Sequence, residues 1–90
     1  MNSIVVLITL SGKGIETIIS NPELQKKEME FVSQWNQDGV LESFFISTPM
    51  QEAVLIFKNI DKVKAMELIE SLPYFPYMVK IEYHNLNKQF

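Results

Sequence analysis

Glu28 is the residue whose type and position together point to proton chemistry. Leu24, Phe31, Val32 and Trp35 recur at i, i+7, i+8 and i+11, the spacing of one helical face, and Glu28 fills the i+4 position of that stripe. A carboxyl group turned into an apolar core loses hydration, so its pKa rises and it can take up and return a proton near neutral pH. The structural alternative is a stripe-edge glutamate that reaches solvent or pairs with Lys27. His84, the one histidine, is a second candidate for proton transfer, set against the reading of a satisfied structural residue near a strand end. Phe31, Trp35, Tyr74 and Tyr77 offer aromatic surface and phenols to a small ligand, or to core and subunit packing.

Other chemistries find fewer parts. Ser43 and Ser47 have no histidine–carboxylate relay that the sequence assembles around them, so nucleophilic hydrolysis is disfavoured. Gly12-Lys13-Gly14 lacks the Ser or Thr that follows lysine in a phosphate loop, and Thr17 stands where a dinucleotide fingerprint needs its third glycine. The pair of glycines therefore reads as a turn after a strand. With no cysteine, a single histidine and no tight acidic cluster, the sequence predicts no metal and no cofactor.

The elements that must position these residues are marked by their punctuation. Ile4–Leu10 is short and β-branched and stops at Ser11-Gly12, which predicts a strand. Asn21 suits a helix cap, Pro22 the first helical position and Gly39 the residue past the end, so a helix is expected from about Pro22 to about Gln37. Ile15–Ser20 allows an extra helical turn before it. Val40–Ser47 and Glu52–Lys58 are β-rich and separated by a four-residue turn containing Pro49, the pattern of an antiparallel hairpin. Asp61 caps a second helix carrying Ala65, Leu68, Ile69 and Leu72, and Pro73 ends it. From Tyr77 to about Leu86 the residues alternate, Tyr77, Val79, Ile81 and Tyr83 on one side and Met78, Lys80, Glu82 and His84 on the other. The order is βαββαβ, which predicts one ferredoxin-like α+β domain over residues 1–90, with an antiparallel four-stranded sheet and both helices on one face.

Two helices cover only one face of such a sheet, yet the strands are apolar on both. Val5 and Leu7 oppose Ile4, Val6 and Ile8, Val54 and Ile56 oppose Leu55 and Phe57, and Phe45 opposes Phe44 and Ile46. A second copy packed sheet to sheet about a two-fold axis, giving a dimeric α/β barrel, is the economical cover; a bound apolar ligand or another protein is the rival. The expectation is a homodimer or higher homo-oligomer that takes a small molecule.

Composition narrows the class further. Of 90 residues, 47% are hydrophobic and 21% charged, which is the balance of a folded protein rather than a disordered segment. All 8 cations are lysines against 11 acidic residues, and the net charge is −3, so nucleic acid is not an expected partner. No apolar run approaches the roughly 20 residues of a membrane span. Met1-Asn2-Ser3 shows no cationic leader, which predicts a cytoplasmic location.

Ser71-Leu72-Pro73-Tyr74-Phe75-Pro76-Tyr77-Met78 resembles the Leu-Pro-x-Phe-Pro-Tyr-Met signature of the muconolactone isomerases, and a match of pattern extends from the first strand through Glu82. The resemblance implies a ferredoxin-like domain paired into a dimeric α/β barrel. It also implies an isomerase that shifts a double bond by abstracting and returning a proton, with Glu28 matching one member of an acidic pair where Lys27 replaces the other. That family carries arginines along the second strand and following turn; Glu42, Ile46 and Met50 stand there instead. A carboxylated lactone needs cations, so a neutral or weakly charged metabolite is expected. The alternative is a non-catalytic ligand-binding or assembly module.

Overall fold

The computed structural model describes residues 2–48 and 50–90. The elements run β1 (Asn2–Leu10), α1 (Gly12–Ile19), α2 (Pro22–Gln37), β2 (Leu41–Ile46), β3 (Glu52–Lys58), α3 (Lys62–Glu70), a 3-10 turn (Phe75–Tyr77) and β4 (Met78–Asn87). The four strands form one sheet in the order β2-β3-β1-β4, every neighbouring pair antiparallel. This is the expected ferredoxin-like α+β arrangement with one helix added. The turn assigned to Pro49 lies outside the described residues.

The added helix corrects the reading of Gly12-Lys13-Gly14 as a turn. Ser11 is extended (φ −71°, ψ 151°) and its Oγ accepts a 2.9 Å bond from the Gly14 N–H, so a serine cap starts α1 where the glycines suggested a break. Gly14 is buried, and a Cβ built on it would stand 2.7 Å from the Tyr77 Cβ, so glycine here allows α1 to approach the 3-10 turn. The caps of the other two helices match their sequence signals. Asn21 Oδ1 accepts from the Leu24 N–H at 3.1 Å, and Asp61 Oδ1 from the Lys64 N–H at 2.8 Å. Past the end of α2, Gly39 takes φ +78°, the left-handed conformation that a side chain resists.

One face of the sheet and the three helices enclose the core. Ile4, Val6, Ile8 and Leu10 of β1 face the same way as their partners Phe57, Leu55 and Ala53 of β3. Ile18, Val32, Trp35, Ala65 and Ile69 close over them from the helices. Burial of a side chain the size of Leu55 or Phe57 stabilises by about 1.5–3 kcal/mol. Val5, Leu7, Val54, Ile56 and Phe45 occupy the other face, which no element among the described residues covers; Phe45 is 58% exposed.

A β-bulge sets the phase of β4. Thr9 pairs with Lys80 and Leu10 with Met78, so Val79 has no partner in β1 and is 65% exposed. Met78 consequently shares the helix-side phase with Ile81 and Tyr83, which lie opposite Ile8 and Val6. Lys80, Glu82 and His84 lie opposite Thr9, Leu7 and Val5, on the open face. The strict alternation expected from Tyr77 onward, which grouped Met78 with His84, is broken by this one extra residue.

Candidate functional site

A cavity of about 160 Å³ opens between α2 and the helix-side face of the sheet. From α2 it receives Gln25, Glu28, Met29 and Val32, one stripe of a 3.6-residue helix. Ile8, Leu10, Phe44, Ala53 and Leu55 form its floor, on the sheet phase that faces the helices. Ile46 and Met50 line it as well. Leu72, Tyr74 and Met78 complete the wall, so three residues of the signature segment frame the same space as Glu28. Glu52 also borders the cavity, but it pairs with Thr9 and so belongs to the open-face phase of β3.

Glu28 is 5% exposed, the one acidic or basic residue among those described that is buried. Its Oε1 accepts a 3.0 Å hydrogen bond from the backbone N–H of Tyr74. Burial pushes its pKa from 4.5 up to about 7, outweighing that N–H, which favours the ionised form and lowers it. At neutral pH the group is therefore divided between carboxylate and acid, the condition for both accepting and returning a proton. Burial, and then the Glu28 charge, raise the pKa of the half-buried Tyr74 phenol, which keeps it protonated. The side-chain amide of Gln25 donates to the Ile18 carbonyl at 2.7 Å and fastens this end of α2 to the end of α1.

Of the six residues singled out by sequence, the structure brings Glu28 and Tyr74 together and places four elsewhere. Trp35 is built into the core against Phe57, ring centroids 5.7 Å apart, and does not line the cavity. Phe31 is 39% exposed and meets Trp35 edge-on at 6.3 Å, on the outer flank of the stripe. Tyr77 belongs to the 3-10 turn and packs on Gly14 of α1. His84 sits on the open face with its side chain 50% exposed and its Nε2 3.9 Å from Glu82 Oε1, because the bulge reverses the phase of β4. Lys27 is exposed.

Gln25, Met29 and Phe44 are cavity residues that sequence reasoning passed over. Gln25 and Met29 carried a signal, standing three residues before and one after Glu28 on the same helix. Phe44 carried none beyond its place on the apolar phase of its strand. No group of three His, Asp or Glu side chains among the described residues could hold a metal ion, and no helix among them is long and apolar enough to cross a membrane.

No family model matches the chain, and no curated protein matches it. Solved structures do. The 5-chloro-2-hydroxyhydroquinone dehydrochlorinase TftG of Burkholderia phenoliruptrix, solved in complex with 2,5-dihydroxybenzoquinone, superposes with a TM-score of 0.78 over 94% of this chain and 93% of its own, at 7% identity. Protein Atu4242 of Agrobacterium tumefaciens gives 0.58 over 100% and 96% at 15% identity. The structured domain of Drosophila melanogaster Boca gives 0.54 over 94% and 99%, also at 15% identity. These are likenesses of fold, and the TftG match agrees with the ferredoxin-like α+β architecture of this chain.

Proposed function

We propose that this chain is a muconolactone isomerase-like protein in which Glu28 moves a proton within a small neutral or weakly charged metabolite bound in the apolar cavity. The observation that carries the reading is the Glu28 carboxyl group, buried in the wall of an otherwise mostly apolar cavity and held near neutrality. Its carboxylate form takes a proton from a carbon beside a carbonyl, the C–H electrons pass into an enolate, and the resulting acid returns the proton to the far carbon of the conjugated system. The double bond moves and no atom is gained or lost. The signature segment around Tyr74 lines the same cavity, and the fold is shared with TftG, an enzyme complexed with a small cyclic quinone.

The functional unit in this reading is a homodimer closed over the open sheet face, where Val5, Leu7, Val54, Ile56 and Phe45 form an uncovered apolar surface.

The probe for the chemistry is α-angelica lactone, an uncharged enol lactone, followed in D2O by NMR. Double-bond migration with deuterium uptake is expected from the protein, and a loss of at least about 100-fold from Glu28→Gln. Unchanged turnover in that variant would sink the role of Glu28. A second reading, a ligand-binding or assembly module without catalysis, is favoured by the placement of His84 across the sheet, which takes the second proton-transfer candidate out of the cavity wall. Native mass spectrometry that finds a dimer retaining a small molecule, together with no lactone exchange, is the outcome that selects it.

A further inference from the structure

Among the described residues no cation lines the cavity beside Glu28, and an enolate formed there needs a donor. A base whose conjugate acid lies near neutrality removes protons only from carbon acidified by an adjacent carbonyl, and the negative charge then gathers on the carbonyl oxygen. Among the described residues no lysine lines the cavity; the lining residues with a side-chain donor are Gln25, whose amide is committed to the Ile18 carbonyl, and Tyr74.

We infer that the Tyr74 hydroxyl is the hydrogen-bond donor that holds the carbonyl oxygen of a small cyclic carbonyl compound while Glu28 moves the proton. The inference rests on the reading of Glu28 given above and extends it to a second catalytic residue and a substrate class. Three observations carry it. Tyr74 and Glu28 line the same cavity and are joined by the 3.0 Å bond from the Tyr74 N–H, so the position of the phenol's backbone is fixed relative to the carboxylate. The phenol stays protonated at neutral pH, since burial and the neighbouring carboxylate both oppose its ionisation. The cavity, at about 160 Å³, matches the roughly 150 Å³ that accepts a benzene-sized ring. Tyr74 also occupies the variable position of the Leu-Pro-x-Phe-Pro-Tyr-Met pattern, which makes the hydroxyl a property of this chain.

In the step so assigned, the C–H bond breaks toward the Glu28 carboxylate and its electron pair moves through carbon onto the carbonyl oxygen. The Tyr74 O–H donates to that oxygen without releasing its proton, and the proton on Glu28 closes the cycle at the far carbon. The phenol strengthens its bond as charge develops, so it acts on the transition state more than on the bound substrate.

Tyr74→Phe tests this cleanly, because it retains the ring and the backbone N–H on which Glu28 depends. With α-angelica lactone the variant is expected to lose 10- to 1000-fold in kcat with less than a threefold change in KM. A second measurement needs no turnover: in Glu28→Gln protein, whose neutral amide mimics the protonated base, binding of the oxyanion 4-nitrophenolate is followed by its absorbance. Tyr74→Phe in that background should weaken binding at least tenfold. Equal binding by the two proteins, or no 4-nitrophenolate binding by Glu28→Gln, overturns the inference even if the wild-type protein does not turn over the lactone. An inactive Glu28→Gln with a fully active Tyr74→Phe removes the phenol's role and leaves Glu28's standing, whereas a fully active Glu28→Gln removes the parent reading.

Discussion

The carboxylate of Glu28 accepts a 3.0 Å hydrogen bond from the backbone N–H of Tyr74, across 46 positions of sequence. That bond joins the middle of α2 to the segment between α3 and β4, the two stretches most informative in the sequence. It also satisfies a buried acceptor that would otherwise cost free energy, so the same contact serves the fold and orients the carboxyl group.

The first prediction concerns pH. Glu28 has a folded pKa of about 7 against an ordinary 4.5, so between those values the folded protein holds more protons than the unfolded chain. Its contribution to stability is therefore most favourable below pH 4.5, declines through the window and levels off above pH 7. The full difference is on the order of 3 kcal/mol. Urea unfolding of the wild type at several pH values should show this decline, and the Glu28→Gln protein should lack it; parallel profiles for the two would disprove the buried titration.

Gly14 and Gly12 should respond oppositely to alanine. A Cβ at Gly14 meets Ser11 Oγ and Tyr77 Cβ, each at 2.7 Å, so Gly14→Ala must displace the cap or the 3-10 turn and should destabilise by about 1–3 kcal/mol. Gly12 has nothing within 4 Å, and Gly12→Ala should be neutral or stabilise by up to about 1 kcal/mol through helix propensity. Thermal melts of the two variants decide the comparison.

On the open face, Leu7 lies opposite Val54 on one side and Glu82 on the other. Sedimentation of the wild type at micromolar concentration should give a dimer. Leu7→Asp, which puts a charge at the centre of the proposed interface, should give a folded monomer or a dimer weakened at least 100-fold. A wild-type monomer would remove the barrel reading.

His84→Ala should change lactone turnover less than twofold, since His84 lies on the face opposite Glu28. A loss of 100-fold in a variant that still assembles would show that the histidine reaches the site after all.

Much of the fold was legible because its boundaries are chemical. Asn21, Pro22 and Gly39 delimit α2 as expected, and Glu52–Lys58 is a strand over the range its β-branched and apolar residues indicated. Glu28's inward direction followed from helical spacing alone. What stayed hidden depended on contacts distant in sequence. The Ser11 cap starts a helix through two glycines, the second of which packs against Tyr77, and a cavity assembled from four strands' worth of neighbours leaves no mark in any one segment. Trp35 and Phe31 share a stripe with Glu28, and periodicity does not say which part of a stripe meets solid core and which meets space.

The unpaired Val79 has a consequence for the site's electrical character. Had β4 kept step with Met78, the side chains of Lys80, Glu82 and His84 would have pointed to the helix side of the sheet. One surplus residue turns the strand half a period and exports three ionisable groups to the opposite surface. Glu28 is thereby kept apart from the ionisable groups of β4, whose titration should leave its own unsplit.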